Sequence, residues 1–220
     1  MSALLELTDV RHGYDGRDVL NGVSLRVRAG ECAVLLGENG SGKSTLLRLA
    51  AGRELPRSGT VTLHGTAVSE DDRSVRAAVA TVLDNLAGYP DLSVHEHLML
   101  VALAHGLGDG AADAVDRALA EHHLTERADA LPHQLSSGQS QSLALAQAFV
   151  RPAELLLLDE PEQRLDADAR DRLAERLRAA KERGTAVLLA THRRELADAV
   201  ADAAYTVTGA GLLEAGGLGG

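Results

Sequence analysis

The segment Gly37-Glu38-Asn39-Gly40-Ser41-Gly42-Lys43-Ser44-Thr45 constrains the fold more than any other part of this chain. It follows a short apolar run, Cys32 to Leu36, that is bounded by glycines and reads as a central buried strand. It precedes a helical pattern from Lys43 to about Ala51, ending near Gly52. Strand, glycine-rich loop and helix in that order fit the pattern G-x-x-x-x-G-K-[ST]. Gly37, Gly40 and Gly42 permit a tight turn whose N–H groups converge, and the helix N-terminus adds its positive dipole. Such a cage accepts phosphate. The pattern assigns Lys43 to the β- and γ-phosphates, Ser44 to Mg²⁺ and Thr45 to a further phosphate oxygen, with Asn39 and Ser41 in the same binding set.

The remaining patterns build an α/β domain around that loop. Leu4 to Val10 and Val19 to Val27 alternate as half-buried strands joined by a turn at Gly13 to Arg17. Val61 to Leu63 and Val75 to Leu83 read as further strands. From about 85 to 150 the periodicity becomes helical: a helix opened by a Ser93/Glu96 capping box, a second over Ala111 to His122, and a third over Gly138 to Val150. Strand Glu154 to Leu158, helix Ala167 to Lys181, strand Ala186 to Ala190, helix Arg193 to Ala201 and strand Ala204 to Thr208 follow. This alternation implies a mostly parallel sheet. The expected organisation is one domain, with an α/β core and N-terminal β lobe over 1–84 and 151–210 and an inserted helical lobe over about 85–150.

A second group of polar residues falls at strand ends. The run Leu155 to Leu158 delivers Asp159 and Glu160 at its carboxyl end, where ligands sit in open α/β sheets. Asp159 suits the Mg²⁺ shell, and Glu160 is placed to polarise an attacking water. His192 follows the strand Ala186 to Ala190 and can reach the γ-phosphate or the water. His95, His97, His122 and His123 have no such context and read as surface residues.

Composition excludes several classes of partner. A net charge of −10 gives no basic footprint for nucleic acid or anionic lipid, and 2% aromatic residues give no base-stacking platform. Cys32 is the only cysteine, so no intrachain disulfide forms, and core packing is its expected role. No apolar run reaches the ~20 residues of a membrane span, and the N-terminus lacks a signal-peptide pattern.

Leu135-Ser136-Ser137-Gly138-Gln139 resembles the LSGGQ signature of ATP-binding-cassette (ABC) proteins, with Ser137 in place of the first glycine. Asp159-Glu160-Pro161 followed by Leu165-Asp166 is similar to the loop that follows in that family, and Thr191-His192-Arg193 to its switch-histidine segment. Tyr14 falls where the family has an aromatic that stacks on adenine. The ordered set covers about residues 4–208. The resemblance implies the ABC ATPase fold and a head-to-tail dimer in which Ser136, Ser137, Gly138 and Gln139 of one copy, with Asp166 near the contact, cap ATP on the other. It also aligns Asp84 with a glutamine that ligates Mg²⁺. Ser142 and Gln147 stand where arginines are common, and Gln163-Arg164 replaces the usual Ser-Ala.

The resemblance further implies an ATPase subunit of a bacterial transporter, held on the inner face of the cell membrane by a separate polytopic permease. The lack of an extension beyond about residue 210 favours an exporter. The alternative is a soluble ABC ATPase of a non-transport assembly, of the iron–sulfur cluster biogenesis type. About ninety residues between Lys43 and Leu135 leave no room for the coiled coil of DNA-handling relatives. A small-metabolite kinase would lack the signature, Glu160 and His192.

Overall fold

A computed structural model describes residues 3–83 and 89–208 and the backbone of the edge strand 211–215. Two sheets form its frame. Strands β1 (Leu5–Tyr14), β2 (Arg17–Val27), β4 (Ser58–Leu63) and β5 (Thr66–Ala67) make an antiparallel sheet in the order β2-β1-β4-β5. The second sheet contains β3 (Cys32–Leu36), β6 (Val79–Val82), β7 (Leu155–Asp159), β8 (Ala186–Ala190), β9 (Ala203–Thr208) and β10 (Gly211–Ala215). Its order is β10-β9-β3-β8-β7-β6, parallel throughout except for the antiparallel edge strand β10.

The apolar runs of the parallel sheet divide by the pleat. Leu155 and Leu157 of β7 join one hydrophobic cluster, with Ala33, Leu35, Ala186 and Leu188, while Leu156 and Leu158 join the cluster on the opposite face, with Cys32, Val34, Val187 and Leu189. Both faces are therefore covered, which is why these strands are apolar at every position. Each fully buried leucine contributes about 2 kcal/mol of burial energy. Helix α1 (Lys43–Ala50) and the antiparallel sheet cover the first face. Helices α5 (Ser137–Phe149), α6 (Ala167–Glu182) and α7 (Arg194–Val200) cover the second. Helices α3 (Val94–Ala104) and α4 (Ala111–Glu121) pack with the other side of α5 in a separate cluster that includes Leu98, Val115, Leu119 and Leu143.

Three expectations are corrected. Val75 to Leu83 is not one strand: helix α2 (Arg73–Ala78) precedes β6, because Asp72 caps it by accepting from the Ser74 N–H at 2.7 Å. Arg151 secures that junction, its guanidinium donating to Ala77 O at 2.9 Å and to Val79 O. His97 is buried, its ring bonded to Ser93 O at 2.8 Å and accepting from Tyr89 N–H at 2.9 Å. His122 is buried against Phe149 and bonded to Arg176 at 2.9 Å. Both sit at positions where short-range spacing suggests a surface and the packing of neighbouring elements decides otherwise. The capping box of α3 forms as expected, and Cys32 is a core residue whose thiol burial pushes up to about 12. Of the tail 215–220, which composition suggests is frayed, Ala215 ends strand β10 and 216–220 lie outside the described residues.

Candidate functional site

The phosphate-loop sequence leaves the end of β3 and enters α1 through Gly42, whose φ of 106° belongs to the left-handed region. A Cβ there would come within 2.9 Å of the Leu20 side chain and 3.0 Å of that of Val19, and the left-handed conformation favours glycine. Lys43 is buried, and its ammonium donates to Gly37 O at 2.8 Å and Glu38 O at 2.9 Å. One of its three N–H donors remains for an anion at the loop mouth.

A cleft of about 580 Å³ opens above this loop and is lined by Asn39, Gly40, Lys43 to Thr45, Asp159 and Glu160, among others. The parallel pairing of β7 next to β8, and of β8 next to β3, brings the three strand ends together. Burial raises the Asp159 pKa and the neighbouring Glu160 adds to that, while the nearby Ser44 hydroxyl, Lys43 and Arg48 lower it. Glu160 stands at a left-handed φ of 45°, its N–H bonded to Ala190 O at 2.8 Å. Its carboxylate accepts from Gln163 Nε2 and lies 3.3 Å from His192 Nδ1. A carboxylate, an imidazole and the glycine-rich loop thus meet at one edge of the sheet.

A family model described as "ABC transporter" matches residues 20–163. The chain belongs to the ABC transporter family. Among relatives, "Nod factor export ATP-binding protein I" of Burkholderia lata is 38% identical over 203 residues, which is 91% of this chain. The proteins of the same name from Burkholderia pseudomallei (strain 1710b) and Rhizobium etli are 40% and 35% identical, over 89% and 90% of this chain. The chain spans only 63–66% of the length of these curated relatives. A solved structure titled "Structure of ATP binding subunit of ABC transporter" superposes with a TM-score of 0.88 at 31% identity, covering 96% of this chain and 89% of that one. The ATP-binding cassette MJ0796, solved as a dimer in a post-hydrolysis state, shares the fold with a TM-score of 0.89 at 23% identity, covering 98% and 99%.

The segment Leu135 to Gln139, which resembles the family signature, lies elsewhere. Ser136 caps α5, its hydroxyl accepting from Gln139 N–H at 3.2 Å while Gln139 Oε1 accepts from Ser136 N–H at 2.9 Å. Ser137 opens the helix, and a Cβ on Gly138 would stand 2.9 Å from Arg164 O. None of Ser136 to Gln139 lines the phosphate cleft. Gln141 does line it, and its amide donates to Pro161 O at 3.0 Å. Asp166 caps α6, accepting from Ala169 N–H at 2.8 Å. Tyr14 sits at the β1–β2 turn, edge-on to His12 (centroids 5.1 Å apart), its hydroxyl donating to Glu54 at 2.5 Å. Asp84, expected in the metal set, lies outside the described residues.

Sequence reasoning did not single out Glu54, Gln141 or Glu162. Glu54 holds Tyr14 and approaches Arg48 at 3.6 Å. Glu162 is buried and accepts from the Thr191 hydroxyl. Loop residues carry no periodicity, so the one signal for Glu162 was its position immediately after Asp159-Glu160-Pro161.

Proposed function

We propose that this chain is the ATP-hydrolysing subunit of an ABC exporter, working as a head-to-tail pair around ATP. The observation that carries this reading is that Lys43, Ser44, Asp159 and Glu160 line a single cleft. Loop N–H groups and Lys43 bind the triphosphate, and Tyr14 offers its ring to adenine. Ser44 and Asp159 are hard oxygen donors lining that one cleft, which suits Mg²⁺. When bound, the ion neutralises charge on the β- and γ-phosphate oxygens. Glu160 orients a water and takes its proton as the water oxygen bonds to γ-phosphorus and the bond to the bridging oxygen breaks. His192 holds the water or a γ-phosphate oxygen.

That Ser136 to Gln139 do not line the cleft of their own chain supports a second copy as the source of the cap. Ser136, Ser137, Gly138 and Gln139 of that copy would meet the γ-phosphate with a helix N-terminus and hydroxyls, with Asp166 at the contact. ATP then joins the copies and hydrolysis separates them.

Among the described residues no helix is long and apolar enough to cross a membrane. A groove of about 1340 Å³ runs between α2 and the end of α3, lined by Arg53, Arg76, Leu103 and His105 among others. Leu100 and Leu103, one turn apart on α3, are 44% and 54% exposed. This face suits a transmembrane partner, which would hold the chain at the cytoplasmic side of the membrane. The relatives' printed names favour export.

Lys43→Ala in the full chain tests the reading: ATP binding or phosphate release should be lost. Unchanged hydrolysis would remove the site, and copurification with soluble partners alone would remove the transporter. Asp84 places a carboxylate where the family has an amide; Asp84→Gln should lower KM for ATP or raise kcat, and a change in neither discards that role.

A further inference from the structure

Two loops meet behind Glu160, and one buried side-chain contact joins them. Glu162 and Thr191 are 1% and 0% exposed. The Thr191 hydroxyl donates to Glu162 Oε1, and the same hydroxyl oxygen accepts from Arg193 N–H at 3.0 Å. The Thr191 N–H is tied to Leu35 O at 3.2 Å, at the end of β3. His192 therefore stands in a turn fixed at one side to the sheet and closed at the other by a hydroxyl whose direction Glu162 sets. Its ring, half exposed, faces Glu160 Oε2 at 3.3 Å.

Packing does not explain a carboxyl at this place. A buried carboxyl is costly unless its oxygens are bonded, and an apolar side chain of similar length would fill the space at less cost. Among the described residues Glu162 Oε2 has no hydrogen-bond partner. The bond to Thr191 is the side-chain contact that a methionine could not reproduce. Glu162 also lies on the loop between Glu160 and Asp166, its carbonyl accepting from Leu165 N–H at 3.3 Å.

We propose that Glu162 is a positioning residue for ATP hydrolysis, holding the His192 turn against Glu160 through the Thr191 hydroxyl. The inference rests on the roles of Glu160 and His192 proposed above. Glu162 touches neither phosphate nor water in this account; it fixes the imidazole that does. A displacement of the 163–166 segment is transmitted to His192 by the same contact.

Phosphate release by the full chain, measured against ATP concentration, tests it with Thr191→Val, Glu162→Met, the double variant and Thr191→Ser. Each of the first two should lower kcat about tenfold with KM changed less than about twofold. The double variant should lose about tenfold as well, because the two side chains act through one bond. Thr191→Ser should recover most of the rate. An unchanged kcat, a double variant near the product of the two single losses, or a matching rise in KM overturns the proposal. Should Glu162→Met fail to fold, Thr191→Val against Thr191→Ser decides alone. Glu160→Gln is run alongside: normal turnover there defeats the site itself, whereas a dead Glu160→Gln beside a fully active Thr191→Val defeats only this inference.

Discussion

The Nδ1 of His192 lies 3.3 Å from Oε2 of Glu160, although the two residues come from different strands and are 32 positions apart. Adjacent parallel strands β7 and β8 end at the same level, so their following residues face one another across the cleft edge. Removing the imidazole takes away the group that orients Glu160 or the γ-phosphate and leaves the phosphate loop intact. His192→Ala should lower kcat by about a hundredfold or more while KM for ATP changes little. Steady-state phosphate release checks this, and a rise in KM at constant kcat would make His192 a binding residue instead.

Gly138 is expected to be intolerant of a side chain. Alanine would gain about 1 kcal/mol of helix propensity, but its Cβ would press on a backbone oxygen, Arg164 O, at 2.9 Å. Close contact should prevail, costing about 1–2 kcal/mol net and shifting the loop that leads to Asp166. Gly138→Ala should lower the melting temperature by roughly 2–8 °C and reduce turnover. An equal or higher melting temperature would show that the two loops separate freely.

His122 makes stability depend on pH. Burial first, then the charges of Arg176 and His123, push its pKa from 6.5 down to about 3. The folded chain keeps this ring neutral while the unfolded chain protonates it below pH 6.5, so the unfolded state binds more protons between pH 6.5 and 3. The contribution of His122 is fully present above pH 6.5 and falls as pH drops through that window, by up to about 2 kcal/mol at pH 5. His122→Gln should flatten the loss of melting temperature between pH 7 and pH 5. An identical slope in the variant would assign the acid sensitivity to other groups.

Leu103 tests the partner face. Leu103→Glu should abolish copurification with a membrane protein while ATP hydrolysis by the purified chain stays within about twofold, because the side chain is 54% exposed and lies away from the phosphate cleft. Retained copurification would move docking to another surface.

The parts of this molecule that were legible in sequence share one property: their signal is local. The phosphate loop, the apolar strands and the Ser93 capping box each declare themselves within a dozen residues. Asp159, Glu160 and His192 were legible because parallel strands place their carboxyl ends together whatever the details of packing. Helix α2 escapes a local reading because β-branched Val75, Val79 and Val82 favour a strand by composition, whereas the Asp72 cap makes the first part helical. His97 and His122 were read as surface because the elements that cover them are distant in sequence. Glu54 and Glu162 were invisible for the same reason, since their partners Tyr14 and Thr191 lie 40 and 29 positions away.

The most direct test of the central claim is Glu160→Gln in the full chain with ATP and Mg²⁺, followed by phosphate release and sedimentation. The amide keeps the size of the side chain and removes its capacity to take a proton. Phosphate release should fall by at least about a hundredfold while ATP stays bound and the chain sediments as a dimer. A variant that remains monomeric with ATP and releases phosphate at the normal rate would contradict that claim.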